Sequence, residues 1–218
     1  VPYRRTAGVQ ARLDASRERI LSAALAIVGE RGYAGCTVAA VATRAAVATG
    51  TVYTHFPGKA SLVAEVFRRA ANHEVDLVTK AAATPGSTRD RLTAMITIFA
   101  GRALRAPRLA FALLAEPADP VVDAERLALN RAYRNLIAGV LADGVRAGDL
   151  PEQDLQVTAA GLVGAIGGAL VVPLADGRAD HATLPSIVSF LLRAAGMPTN
   201  GGSVAGSSRG TRDDDRPH

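Results

Sequence analysis

The chain of 218 residues is 49% hydrophobic yet holds no Trp, four Tyr and five Phe, so its core must come mainly from Ala, Leu, Val and Ile, which suits packed helices. Its single cysteine, Cys36, excludes a disulfide-stapled secreted fold; no apolar stretch of the signal-peptide kind precedes the first helix, and a reducing, cytoplasmic setting is expected. The net charge of +5 is carried by residues 1–60, where eight basic groups face three acidic ones, while residues 61–218 hold 17 of each; either the N-terminal quarter meets a polyanion or it is a solvated basic tail.

Residues 1–13, with Arg4, Arg5 and Arg12, read as a basic disordered arm. The first helix is predicted from Asp14 to Arg31, because Ile20, Leu21, Ala24, Leu25, Ile27 and Val28 repeat at helical spacing while Arg17, Arg19 and Glu30 fall opposite. Gly32 can end it in a left-handed conformation. Thr37 is placed to N-cap a second helix with the apolar stripe Val38, Val41, Ala42 and Ala45. A very short third helix follows, anchored by Val47 and Val52 and closed by Pro57 and Gly58, which leaves Thr49, Gly50, Thr51, Thr54 and His55 facing outward.

A fourth helix is predicted from about Lys59 to Thr79, with Leu62, Val63, Val66 and Phe67 on one side and Arg68, Arg69, His73 and Glu74 on the other; Thr84-Pro85-Gly86-Ser87 then marks a boundary. Five further helices are predicted over about 87–105, 107–115, 120–147, 153–174 and 181–195, and residues 197–218 read as a disordered Gly- and Ser-rich tail. No internal repeat or strand is discernible. The fold class is therefore all-α: a helix-turn-helix unit over 14–58, helix 4 as a connector over 59–84, and a helical unit over 85–196.

The most specific stretch is Gly50-Thr51-Val52-Tyr53-Thr54-His55-Phe56-Pro57-Gly58-Lys59 followed by Leu62. Over roughly residues 14–68 the chain resembles the tetracycline-repressor (TetR) family of bacterial transcriptional regulators. Two positions depart from the family pattern: Ala46 stands where Gly is frequent in the turn, and Ala48 where Ser is frequent at the cap of the recognition helix, with Thr49 as the substitute cap.

Independently of that resemblance, Tyr53 and His55 can donate hydrogen bonds to phosphate oxygens, and Lys59 adds a cation at the N-terminus of helix 4. Thr49, Gly50, Thr51 and Thr54 remain to meet base edges, Thr through its hydroxyl and methyl, Gly by letting the backbone approach closely. Tyr53 has core packing as an equal alternative; Phe56, with no polar handle, reads as core. The resemblance adds Thr37 and Arg44 as backbone-phosphate contacts, and the arginines of the arm have the minor groove as an alternative to disorder.

Residues 157–175 carry no charge, a length that would also serve as a membrane span, and Gly164 and Gly168 form a Gly-x-x-x-Gly pair. Acidic flanks, the absence of an orienting Lys/Arg cluster and Pro173 favour burial in a soluble helical assembly. The resemblance implies a four-helix dimer interface over about 153–195, with Leu162, Ile166, Leu170, Ile187, Phe190 and Leu191 as its candidates.

It also implies a small-molecule pocket among the middle helices. Met95, Ile98, Phe99, Phe111, Leu114, Tyr133, Ile137 and Val163 are candidate lining residues, each with plain core packing as the alternative, and Arg102, Arg131 and Arg134 either meet an anionic ligand group or form solvated helix faces. No metal spacing, phosphate-cradling loop or nucleophile–base pair is visible, so neither a cofactor nor enzymatic activity is expected. The reading is a cytoplasmic homodimer that binds a double-stranded DNA operator and is released by a small-molecule effector. Its rivals are a helical carrier or enzyme whose N-terminal helices are structural, and a membrane-associated helical protein.

Overall fold

Ala-, Leu- and Arg-rich segments punctuated by Pro and Gly give, in the computed structural model, nothing but helices over the described residues 7–198. In chain order these are α1 (Ala7–Gly35), α2 (Val38–Arg44), α3 (Thr49–His55), α4 (Lys59–Ala82), α5 (Thr88–Arg105), α6 (Pro107–Leu114), α7 (Pro120–Ala147), α8 (Leu155–Ala175) and α9 (Leu184–Ala194), the last entered through a 3-10 turn at His181–Thr183. The all-α expectation holds.

Local chemistry explains the boundaries. α1 begins at Ala7, ahead of the predicted Asp14, because Gln10, Ala11, Arg12 and Leu13 are good helix formers with no stop signal among them; residues 7–13 of the expected arm are thus helical. The rest of that arm, and the tail from residue 199, lie outside the described residues. Gly32 interrupts α1 with φ 71°, as its left-handed freedom allowed, and a last turn runs on to Gly35. The Thr37 hydroxyl accepts a hydrogen bond from the Ala40 N–H at 3.1 Å and caps α2.

The cap expected of Thr49 is a correction. Ala48 occupies the N-cap of α3 and, having no side-chain acceptor, offers no hydrogen bond, while Thr49 is already the first helical residue. In the preceding turn Ala46 adopts φ 53°, the one non-glycine residue with positive φ among those described.

Two apolar clusters organise the molecule. The first gathers α1 to α3 around Ile20, Ile27, Val28, Val41, Val52 and Phe56 and takes in Leu62, Val63, Val66 and Phe67 from the first half of α4. The second collects α5 and α7 to α9 around Leu92, Met95, Leu141, Leu162, Leu170 and Leu191, and receives Val78 and Ala82 from the far end of α4. Each large side chain fully buried this way contributes about 1.5–3 kcal/mol. Ala112 and Leu113 of α6 and Val122 of α7 belong to the first cluster, so the α6–α7 corner lies directly against the N-terminal helices.

Candidate nucleic-acid interface and ligand cavity

Val52 fixes α3 on the core with 1% exposure, and this single anchor turns the rest of the seven-residue helix outward. Thr49, Gly50, Tyr53 and Thr54 are exposed; Thr51 and His55 are half-buried. Tyr53, at 54% exposure, is not a core residue, whereas Phe56 is buried, under the Arg17 guanidinium at 5.3 Å. The Thr54 hydroxyl donates to the Gly50 carbonyl oxygen at 3.0 Å, which leaves its methyl and lone pairs for an outside partner. His55 Nε2 is buried without a hydrogen-bond partner among the described residues, so the ring offers at most Nδ1 to solvent. A Cβ built on Gly50 meets nothing within 4 Å. No packing inside the subunit requires a glycine there.

The cations near this face are engaged within the protein. Arg44 Nη1 lies 2.6 Å from Glu30 Oε2, and this hydrogen bond first, then the charge pairing, holds the guanidinium pKa above and the carboxyl pKa below their ordinary values. Lys59 Nζ sits 4.1 Å from the centre of the Tyr33 ring and 3.4 Å from the Ala34 carbonyl oxygen, so it is docked on the end of α1 rather than extended from the tip of α4. Cys36 is fully buried, and desolvation pushes its thiol to about 11, which makes it inert packing.

Below the interface, a cavity of about 300 Å³ opens among α4 to α9. Phe99, Leu114, Tyr133, Ile137 and Val163 line it, as does Met95; Ile98 and Phe111 do not. Arg102 also lies outside it, because its guanidinium forks onto Glu74, with Nε to Oε2 at 2.7 Å and Nη2 to Oε1 at 2.6 Å. Arg131 and Arg134 are absent from the lining too. Sequence reasoning missed Arg126 and Asn130, polar members of the wall beside Tyr133, because nothing in a helical charge pattern reports which arginine faces inward.

Arg126 connects the cavity to the N-terminal helices. Its Nη2 donates to the carbonyl oxygens of Ala112 and Glu116, its Nε to that of Leu113 at 3.2 Å, and its guanidinium lies 5.2 Å from the Phe67 ring of α4. The Glu116 carboxylate, 7% exposed, accepts from the Tyr33 N–H at 2.9 Å and pairs with Arg108, which itself donates to the Arg31 carbonyl oxygen at 3.2 Å. The two residues flanking the Gly32 kink are therefore tied to the α6–α7 corner.

The surface of α8 differs from the expected one. Leu162, Leu170, Ile187 and Leu191 are buried within the subunit; Leu162, Ile166 and Leu191 line the cavity, and Leu170, Ile187 and Leu191 also border, with Phe190, a surface groove between α8 and α9. A helix apolar all round gives no phase to tell inside from outside. The exposed stripe runs instead along Val157, Gly161, Gly164, Gly168 and Val172, with Val157 at 67% exposure, and Phe190 of α9, at 50%, is the candidate that stands clear of the core. α8 is the one helix among the described residues long and apolar enough to cross a membrane, and its inner side is packed on α6, α7 and α9. Among the described residues no group of three His, Cys, Asp or Glu side chains gathers to hold a metal.

Residues 20–66, which span the N-terminal cluster, match the family model described as bacterial regulatory proteins, tetR family. Over 202 residues, 93% of this chain and 92% of the relative, the chain is 27% identical to the uncharacterised HTH-type transcriptional regulator Rv0767c of Mycobacterium tuberculosis. It is 30% identical to the HTH-type transcriptional repressor KstR2 of Rhodococcus jostii over 136 residues, 61% of this chain and 66% of the relative. Among solved structures, the transcriptional regulator FadR of Bacillus subtilis in complex with stearoyl-CoA superposes with a TM-score of 0.72 over 81% of this chain and 98% of that one, at 19% identity, a likeness of fold.

Proposed function

The chain belongs to the tetR family of bacterial regulatory proteins, a dimerising, DNA-binding and ligand-responsive class of regulators, and from that premise we propose that it is a cytoplasmic repressor released from a near-palindromic operator when a small molecule enters the α4–α9 cavity. The supporting observation is α3 itself: an exposed polar tip whose glycine no internal contact demands.

Two copies of α3, one per subunit, enter successive major grooves about 34–36 Å apart. Thr49, Thr51 and Thr54 read base edges through hydroxyls and methyls, and Gly50 lets the helix approach. Thr37, whose hydroxyl hydrogen is free while its oxygen caps α2, joins Tyr53 and His55 on phosphates. Arg44 and Lys59 reach phosphates by exchanging Glu30 and the Tyr33–Ala34 end of α1 for DNA.

Release follows from the position of the cavity. A ligand pressing on Leu113, Leu114 or Arg126 moves the α6–α7 corner, and Glu116 and Arg108 carry that shift to the end of α1. Two reading helices at the wrong separation no longer fit both half-sites. By linkage, operator and effector weaken each other by the same factor, typically 1–3 kcal/mol.

Selection of bound fragments from the source genome, followed by titration of the recovered site at several salt concentrations, tests the reading. The expected result is a site with two-fold symmetry whose affinity falls by about 0.9 log units per tenfold salt for each neutralised phosphate. Recovery of no preferred fragment, or salt-independent binding, overturns it.

A further inference from the structure

The cavity is an apolar chamber whose wall includes Tyr133, a residue with an unspent hydroxyl. Tyr133 is 7% exposed, its ring stands edge-on to Phe99 with centroids 5.2 Å apart, and its hydroxyl is buried with no hydrogen-bond partner among the described residues. A buried hydroxyl left this way is costly and calls for a partner, an ordered water or a bound molecule. The outer wall is different: Leu127, Asn130 and Gly164 are exposed and form the mouth between α7 and α8.

Charge decides what can reach Tyr133. The nearby cations are saturated: Arg102 spends both faces of its fork on Glu74, and Arg126 spends its nitrogens on Asp123 and on the carbonyl oxygens of Ala112, Leu113 and Glu116. A carboxylate or phosphate drawn into this chamber would lose its hydration with no free cation to receive it among the described residues that line it, which disfavours it strongly. Burial, with the Glu74 carboxylate next, raises the Tyr133 pKa, so the hydroxyl stays protonated and available as a donor.

We propose that the effector is an uncharged, mostly apolar molecule whose single hydrogen-bonding oxygen, a ketone or hydroxyl, seats against the Tyr133 hydroxyl in the cavity wall. This rests on the reading of the cavity as the effector site. The volume of about 300 Å³ is at the small end of ligand pockets and suits a compact molecule.

The test uses the 218-residue chain and three probes of nearly equal size: 2-acetylnaphthalene, 2-ethylnaphthalene and 2-naphthoate. Calorimetric titration is expected to rank the ketone about three- to tenfold tighter than the hydrocarbon, the range of one net hydrogen bond, with the carboxylate weakest. Tyr133→Phe should bring the ketone down to the hydrocarbon and leave the hydrocarbon unchanged. It should also hold or raise the Tm of the free protein, since it removes an unpaired hydroxyl. A carboxylate that binds best, or a ketone preference that survives Tyr133→Phe, overturns the ligand class while leaving the cavity as a binding site. If none of the three probes binds, and none lowers affinity for a recovered DNA fragment, the effector-site reading falls with it.

Discussion

Gly50 sits at the second position of a seven-residue helix, where glycine costs about 1 kcal/mol relative to alanine, and has only open space around its Cα. A residue kept at a loss to stability, with no internal reason, marks a surface that something else approaches. Gly50→Ala is expected to stabilise the folded chain by about 0.5–1 kcal/mol while weakening operator binding by roughly 1–3 kcal/mol; parallel thermal melts and anisotropy titrations would show the two effects moving in opposite directions. Its neighbours carry an opposite lesson. Ala46 holds φ 53° and Ala48 leaves the helix uncapped, so Ala46→Gly and Ala48→Ser should each add about 1 kcal/mol in denaturant unfolding. Both departures were visible in the sequence as mismatches to the family pattern, but only backbone geometry showed that Ala46 takes a positive φ and that Thr49 does not cap in place of Ala48.

At the scale of elements, the helices announced themselves and their partners did not. Pro107, Pro120 and Gly148 stand at or beside the ends of α6 and α7, and the Ser87–Asp90 capping box opens α5, so the boundaries beyond α4 fell close to where punctuation put them. The bridge through the α6–α7 corner was illegible, because Glu116, Arg126 and Tyr33 are far apart in the chain and each alone reads as an ordinary helix-end residue. That bridge can be separated from binding. Glu116→Gln keeps the shape but weakens the charged acceptor of the Tyr33 N–H and the Arg108 pair. It is expected to cost about 1–3 kcal/mol of stability and to shrink the factor by which cavity ligand and DNA oppose each other, while each still binds alone. Double titrations of DNA and ligand measure that factor directly.

For the whole molecule, the N-terminal third was the most legible part, since its short helix and aromatic–His–Phe–Lys signature constrain one another. The solvent-facing side of α8 was the least. Leucines drew attention along α8, yet the glycines at 161, 164 and 168, with the valines at 157 and 172, form the side turned to solvent. A dimer that meets on that stripe is expected to dissociate with Gly168→Glu in analytical ultracentrifugation and to lose operator binding with it, whereas Leu170→Val, inside the subunit, should cost about 1 kcal/mol of stability without changing oligomeric state.

The pairing of Arg44 with Glu30 carries one more consequence. If Arg44 meets a phosphate as proposed, the Glu30 carboxylate resting on it is a resident competitor that any stretch of duplex, correct or not, must evict before gaining that cation. Such a tenant lowers the affinity for matched and scrambled duplex alike. Glu30→Ala should accordingly tighten binding to scrambled and matched duplexes by a similar factor in salt-controlled titrations, leaving a regulator that clings to DNA everywhere.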